Sequence, residues 1–214
     1  MNASTASQPQ LQQTDADGTT RIGGWLFRRR TIIPLPLALA VLLIPGPDTP
    51  NRTLVLAGIV VVALGEALRL WGVRHIGAIS RTRSDRLGPL VANGPFAVTR
   101  NPLYIGNIAL WAGFALCANL LWLAPLIVVV LAFEYHAIVR WEERLLQERL
   151  GERYYAYAAR VPRWIPIGSR ATANNSSGDA DSSAKPFSWR ETIYSERGTL
   201  IAIGLGFALL WLKS

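Results

Sequence analysis

The sequence predicts an all-α integral membrane protein with about five transmembrane helices. Half of its 214 residues are apolar, and the mean hydropathy of +0.24 is high for a soluble protein. Arginine-rich segments divide the apolar residues into runs that approach the length of a membrane-spanning helix. These runs cover residues 31–44, 53–73, 103–117, 121–138 and 199–212.

The basic charge of the chain belongs to the flanks of these runs. The formal net charge is +8, but the arginines lie between apolar runs and do not form a separate basic domain. This distribution is typical of the cytoplasmic side of membrane helices and argues against nucleic acid as a partner. One cysteine, Cys117, excludes an internal disulfide, and with only His75 and His136 beside it we predict no metal site.

The N-terminal part combines a polar tail with a basic segment. Residues 1–20 lack the apolar region of a signal peptide and are expected to be disordered. The sequence RIGGWLFRRR at 21–30 joins arginines to aromatic side chains, as in segments that lie on an anionic membrane surface. The first apolar run has Pro34 and Pro36 near its start, where a helix tolerates proline.

The next three runs predict a helix followed by a helical hairpin. The second run, 53–73, contains Glu66 and Arg69, whose spacing lets the two charges pair on one helix face. A basic loop at 74–101 follows it. The third and fourth runs are separated only by the sequence ANL, which predicts two antiparallel helices joined by a tight turn.

The rest of the chain divides into three parts. Residues 21–167 form the predicted membrane core, which ends in a charged, aromatic and amphipathic stretch. Residues 168–198 form a predicted polar linker rich in serine, asparagine and alanine. Residues 199–214 form a predicted C-terminal apolar helix. We expect the region from 168 onward to be dispensable for chemistry.

The arginines also predict an orientation. They cluster at 21–30, 74–100 and 140–170, which places these segments and the N-terminus in the cytoplasm. The fifth run, 199–212, is short for a span, so the sequence leaves open whether it crosses the membrane or lies against its surface.

The stretch GPFAVTRNPLYIGN at 94–107 carries polar residues directly before an apolar helix. Arg100 and Asn101 precede Pro102, the expected first turn of the third span. A helix N-terminus with free N–H groups favours a carboxylate or a phosphate. Residue chemistry alone allows two interpretations, a binding site at the start of the helix or a plain loop whose arginines reach toward water.

The stretch EYHAIVRWEERLLQERLGERYYAYAARVP at 134–162 carries charges at the end of the fourth span. Glu142 and Glu143 point about 100° apart on a helix, so one can face inward while the other meets water. The alternative is a solvated helix face with ion pairs one turn apart. Pro162 then stops the helix and lets the chain fold back on the membrane.

The order of these motifs is similar to that of a known family. Leu-Val-x-x-Gly-Pro-Phe, Arg-Asn-Pro-x-Tyr-x-Gly, an apolar hairpin, Glu-Glu, Gly-Glu-x-Tyr-x-x-Tyr and Val-Pro-Arg follow one another between residues 85 and 167. This order resembles the isoprenylcysteine carboxyl methyltransferases and the related phospholipid N-methyltransferases. The family usually has histidine where this chain has Asn101, and often tyrosine where it has Phe96.

The resemblance implies an integral membrane enzyme of a bacterial inner membrane that uses S-adenosyl-L-methionine. The cofactor would occupy a cytoplasmic C-terminal cofactor-binding segment, and a lipid or lipidated small molecule would reach the site from the bilayer. The implied cofactor-binding residues are Leu90, Val91, Phe96, Arg100, Asn101, Pro102, Tyr104, Glu142 and Glu143. The implied catalytic residues are Arg140, Glu143 and Asn101, with Arg140 a candidate for binding a substrate anion.

The charges of the cofactor fit this assignment. A carboxylate attracts its ammonium group, and an arginine or a helix N-terminus attracts its carboxylate. A carboxylate acceptor would need no base, whereas an amine acceptor must first lose a proton, for which His136 or a glutamate could serve. The sequence does not select between a prenylcysteine-like carboxylate and a phospholipid amine.

Two other functions have some support in the sequence. Membrane sterol-type reductases, which use NADPH, share part of the motif order by resemblance, but the adjacent Glu142 and Glu143 and the short hairpin favour the methyltransferase. A non-catalytic membrane scaffold is the third hypothesis, supported by Asn101.

Overall fold

The structure is a computed structural model that describes residues 18–30, 32–77, 90–165 and 186–213, with side chains from residue 22 onward. Within these ranges the chain forms seven α-helices and no β-strand, as the sequence predicts. The helices are α1 (Gly18–Arg29), α2 (Pro34–Leu43), α3 (Arg52–Ile76), α4 (Pro102–Cys117), α5 (Leu123–Leu150), α6 (Glu152–Arg160) and α7 (Trp189–Lys213).

Three of the helices, α3, α5 and α7, are long and apolar enough to cross a membrane. The helices α2 and α4 are also apolar, but they have 10 and 16 residues and are shorter than an ordinary span. The prediction of an all-α structure with helices of membrane-spanning length is therefore confirmed for the described residues. The count of five spans stays a prediction.

Glycines bring α3 and α4 into close contact. A Cβ atom added to Gly58 would lie 2.7 Å from the carbonyl oxygen of Gly113, and one added to Gly65 would lie 2.9 Å from that of Gly106. In each helix the two glycines are seven residues apart, so they lie on one face. Small residues of this kind let two backbones approach inside a membrane, where lipid gives no hydrophobic drive for helix association.

The helix α1 lies against α5. Gly23 and Gly24 leave room for Ala137 and Trp141, since a Cβ on Gly23 would collide with the carbonyl oxygen of Ala137. The rings of Phe27 and Trp141 add a tilted contact, with centroids 4.8 Å apart. Because α1 begins at Gly18, the last residues of the predicted 1–20 tail are helical, while residues 1–17 lie outside the described residues.

The hairpin between α4 and α5 forms as the sequence predicts. Asn119 takes a left-handed conformation with φ of 58° in the connecting turn, and its side-chain oxygen accepts a hydrogen bond of 2.7 Å from the backbone N–H of Asn51. The side chain of Asn51 also caps α3 by accepting from Thr53 and Leu54. These contacts place the start of α3 and the α4–α5 turn at one end of the molecule.

The last helix is longer than its apolar run. The backbone N–H and the hydroxyl of Ser188 donate to the Glu191 carboxylate, and the Ser188 oxygen accepts from the Glu191 N–H, so the helix starts at Trp189. It therefore begins inside the stretch predicted as a polar linker, of which 168–185 lies outside the described residues. With 25 residues, α7 has the length to cross a membrane.

Candidate functional site

A cavity of about 900 Å³ opens between the helices and reaches from α6 to α7. It is large for a ligand site and could hold two molecules side by side. All nine residues predicted to contact a cofactor line it: Leu90, Val91, Phe96, Arg100, Asn101, Pro102, Tyr104, Glu142 and Glu143. The structure thus brings these side chains together, while their roles stay predictions.

The loop before α4 is held against the segment after α6. A short 3₁₀ helix, Gly94–Ala97, begins at a glycine with φ of 57°, and its Phe96 carbonyl accepts a 2.8 Å hydrogen bond from the Tyr157 hydroxyl. The backbone N–H of Arg100 donates to the Pro162 carbonyl at 2.9 Å. The side-chain amide of Asn101 donates to the Arg163 carbonyl, also at 2.9 Å. These bonds turn the loop into one wall of the cavity.

Glu143 is the centre of a buried charge network. Its carboxylate lies 2.8 Å from Nη1 of Arg100 and 2.6 Å from Nη2 of Arg163. Arg163 Nε donates to the same carboxylate, so the Arg163 contact is bidentate. Arg100 Nη1 also donates to the hydroxyl of Tyr154 at 3.2 Å. The network joins α5, the loop before α4, α6 and the segment after it.

The phenols and the guanidinium on the α6 side have shifted pKa values. Burial raises the pKa of Tyr154 to about 12, and burial also raises the pKa of Tyr157. The hydrogen bonds to Glu143 raise the pKa of Arg163. At neutral pH both tyrosines are therefore neutral hydrogen-bonding groups and Arg163 is a fixed positive charge.

Glu142 faces a different set of partners. The hydroxyl of Tyr104 donates to Oε1 of Glu142 at 3.0 Å, and the Tyr104 ring lies 4.7 Å from that of Tyr135. The two adjacent glutamates therefore both reach the cavity wall, although helix geometry alone allowed one of them to be solvated. Glu143 uses both oxygens on guanidinium groups, while Glu142 accepts from a neutral phenol.

Arg100 has a buried donor that is suited to an anionic ligand. Its Nε finds no hydrogen-bond partner among the described residues and lies out of contact with solvent. A buried N–H without a partner is costly, and natural proteins keep few of them. Since Arg100 lines the cavity, this donor fits an anionic group held there.

Two residues singled out in the sequence lie outside the cavity. Arg140 has an exposed side chain and is absent from the cavity wall, so its assignment to a substrate anion stays a prediction without geometric support. His136 contacts Trp164, whose indole N–H lies 3.5 Å from Nδ1 of the histidine, and is likewise absent from the wall.

Sequence reasoning missed Arg163, which does not line the cavity but pairs with Glu143 of its wall. Arg163 was visible only as the last letter of the Val-Pro-Arg motif, and this pairing depends on the fold. Two residues of the wall itself were also missed. Arg30 lines the cavity from the end of α1, next to Phe27. Glu196 lines it from α7, a helix that the sequence assigned no part in the site. Each is a charged residue beside or inside an apolar helix, which is the signal that could have found it.

Comparison with known proteins gives matches of two kinds. The chain is 28% identical over 151 residues to the nickel-cobalt-cadmium resistance protein NccN of Alcaligenes xylosoxydans xylosoxydans, covering 68% of this chain and 64% of that protein. It is 28% identical over 109 residues to the cobalt-zinc-cadmium resistance protein CzcN of Cupriavidus metallidurans, covering 51% of this chain and 47% of that protein. The chain thus spans less than two thirds of either relative. No solved structure matches it.

The second match is to a family. The family model of the phospholipid methyltransferases matches residues 53–153, the region from α3 to the start of α6. This region contains the loop before α4, both glutamates and the glycine contact between α3 and α4. The sequence resemblance is therefore confirmed: residues 53–153 match the phospholipid methyltransferase family, which is related to the isoprenylcysteine carboxyl methyltransferases.

Proposed function

We propose that this protein transfers a methyl group from S-adenosyl-L-methionine to a lipophilic acceptor, either a prenylcysteine-like carboxylate or a phospholipid amine. The proposal rests mainly on the residues that line the two ends of the cavity. One end is lined by charged and aromatic side chains around Arg100 and Glu142, and the other by apolar side chains of α2, α4 and α7. A charged cofactor and a lipid tail need these two environments side by side.

The charged end fits the cofactor. The unpartnered Nε of Arg100 matches the carboxylate of the amino-acid part, and the Glu142 carboxylate matches its ammonium group or the ribose hydroxyls. Leu90, Val91 and Phe96 would pack against the adenine. When bound, S-adenosyl-L-methionine would supply an electrophilic methyl group.

The residues of the protein would orient the cofactor and the acceptor and would exclude water from the reacting atoms. Glu143 forms ion pairs with Arg100 and Arg163. The Arg100 guanidinium, which would face the cofactor, is therefore held in one orientation. Asn101 fixes the loop through the Arg163 carbonyl. We therefore assign Glu143 and Asn101 a positioning role and Glu142 the acidic contact. The apolar end excludes water from the reacting atoms.

The proposal includes a location. The arginine-rich end of the molecule, with Arg30, Arg100 and Arg163, would face the cytoplasm by the positive-inside rule. The cofactor site lies at that end. We propose a multi-pass protein of a bacterial inner membrane with the N-terminus and the active site in the cytoplasm.

Calorimetric titration of the detergent-purified protein tests the function. We expect saturable binding of S-adenosylhomocysteine and none of NADPH. Replacing Glu142 by glutamine should weaken S-adenosylhomocysteine binding about tenfold, the loss of one charge-assisted hydrogen bond. Glu148→Gln is the matched control, because it removes the same charge from an exposed position of α5.

Each result has a clear meaning. Binding of NADPH alone would replace the methyltransferase by a reductase. If a folded sample binds neither compound, the scaffold hypothesis takes precedence. Equal affinities for wild type and Glu142→Gln would show that the acidic contact lies elsewhere.

A further inference from the structure

The helix α1 has two faces with different chemistry. Its inner face lies against α5 and consists of the buried residues Gly23, Gly24 and Phe27. The exposed side chains of α1, here called the outer face, are those of Ile22, Trp25, Arg28 and Arg29. Three of them, at positions 22, 25 and 29, recur at helical spacing and therefore share one side of the helix. This side points away from α5 and is open to a partner.

The outer face combines positive charge with exposed apolar surface. Ile22 and Trp25 are 53% and 48% exposed. The guanidinium of Arg29 lies over the Trp25 ring, 4.8 Å from the ring centroid. Neither Arg28 nor Arg29 forms an ion pair with a residue that the structure describes. Arginines beside an indole and an aliphatic side chain, with no acidic residue among them, are typical of a helix on an anionic lipid surface.

The position of α1 along α5 places the outer face at the level of lipid headgroups. The inner face contacts Ala137 and Trp141 of α5. The apolar run of α5 ends at residue 138, so these contacts lie where the helix would leave the hydrocarbon. Tryptophan and arginine are favoured at this depth. An acidic soluble partner would match the arginines alone, whereas a lipid surface also covers Ile22 and Trp25.

The end of α1 leads into the cavity. Arg30 follows the helix directly and lines the charged end of the cavity, where it interacts electrostatically with Glu142. Its guanidinium lies over Phe27, 4.2 Å from the ring centroid, and the Phe27 ring in turn packs against Trp141. Because Phe27 belongs to the inner face, the place of Arg30 depends on the contact between α1 and α5.

We propose that the outer face of α1 binds the headgroups of anionic lipids, and that this binding holds α1 against α5 with Arg30 in the cavity wall. The charge of the surrounding lipid then controls a side chain of the cavity through α1. The inference rests on the surface of α1 and on its contact with α5, so it holds whatever ligand the cavity takes.

Amide hydrogen exchange of the full chain in lipid discs, without cofactor, tests the inference. One set of discs contains only phosphatidylcholine, and the other also contains phosphatidylglycerol, which is anionic. We expect the amides of α1 to exchange about tenfold more slowly in the anionic discs, because each arginine near an anionic surface adds attraction. The amides of α3 and α4 should exchange equally in both sets, which shows that the rest of the fold is unchanged.

Two pairs of substitutions locate the effect. Arg28→Gln with Arg29→Gln should remove most of the slowing, since it takes the charge from the outer face. Arg149→Gln with Arg160→Gln is the matched control, because it removes the same charge from exposed positions of α5 and α6. This control should keep the slowing.

A third variant tests the contact with α5. Gly23→Ala would place a Cβ against the carbonyl oxygen of Ala137, so we expect the amides of α1 to exchange faster than in wild type in both sets of discs. Wild-type exchange in Gly23→Ala would overturn the part of the inference that links lipid binding to α5.

Equal exchange of the α1 amides in the two sets of discs would overturn the inference. So would slowing that survives the loss of Arg28 and Arg29, or slowing that is lost in the control pair, since it would then follow the net charge of the protein. The proposed function fails by a different measurement, the absence of S-adenosylhomocysteine binding, which leaves this test intact.

Discussion

At the scale of single residues, adjacent glutamates have different surroundings. Glu143 is held by two guanidinium groups from Arg100 and Arg163, while Glu142 accepts a hydrogen bond from Tyr104. One residue along an α-helix rotates the side-chain direction by about 100°, and the cavity wall on α5 includes both glutamates. Their chemistry is identical, so the difference between them comes only from the segments that fold against α5.

Removing the charge of Glu143 should destabilise the protein. Glu143→Gln leaves two arginines that share a weakened acceptor, and we expect a loss on the order of 3 kcal/mol, reduced by the partial exposure of Arg163. Thermal unfolding in detergent measures the change, and binding of S-adenosylhomocysteine should weaken with it. Glu148→Gln should change neither, because its ion pair with Arg144 is exposed. A wild-type unfolding temperature for Glu143→Gln would contradict the network.

At the scale of helices, the distance between α3 and α4 decides where the site lies. The glycine pairs let the two backbones touch, and this contact fixes Arg69 of α3 beside Asn107 of α4. The start of α4 is fixed in turn by the loop bonded to Pro162 and Arg163. The charged end of the cavity therefore depends on packing between helices as much as on the motif residues.

A methyl group at the glycine contact should separate the helices. Gly65→Ala would place a Cβ 2.9 Å from the Gly106 carbonyl oxygen, and we expect a destabilisation of about 1–3 kcal/mol from the forced displacement. Gly204→Ala is the control on α7, because no described atom lies within 4 Å of a Cβ built there. This control should be neutral or slightly stabilising, since alanine favours helix more than glycine does. Thermal unfolding of both variants measures the effect. Equal unfolding temperatures for Gly65→Ala and Gly204→Ala would show that α3 and α4 are not tightly packed at Gly65.

At the scale of the whole molecule, the helix ends form two opposite sides. The α4–α5 turn meets the start of α3 on one side, and the ammonium of Lys213 donates to the carbonyls of Val41 and Ile44 at the end of α2. The charge network around Glu143 lies at the other end of α4. The arginine-rich segments around Arg100 and Arg163 and the loops with few charges thus lie on different sides, as the positive-inside rule expects of a membrane protein.

Cysteine labelling should detect this sorting. In a Cys117→Ser background, Asp48→Cys and Glu148→Cys give one exposed thiol on each side. With a membrane-impermeant maleimide on intact cells, we expect labelling at 48 and none at 148 until the membrane is opened. The reverse pattern would place the active site outside the cytoplasm and contradict the proposed orientation.

Local physical chemistry in the sequence was enough to predict several features. The apolar runs predict the helices, because burial in lipid requires apolar side chains and internally bonded backbone. The ANL turn, the proline at the start of α4 and the stop before Pro162 follow from short-range preferences of the backbone. The nine residues predicted to bind a cofactor were named by resemblance to a family, and the structure gathers them around one cavity.

Only the tertiary structure decided how the charges pair. Glu143 pairs with Arg163, which is 20 residues further along the sequence, and Arg69 pairs with Glu196, which is 127 residues further along. No periodicity connects positions so distant, since such pairs depend on how whole helices pack. The inclusion of α7 in the cavity wall likewise depends on how whole helices pack. Its polar first turns suggest a linker in the sequence, but Arg69 neutralises Glu196 within the fold and makes its burial possible.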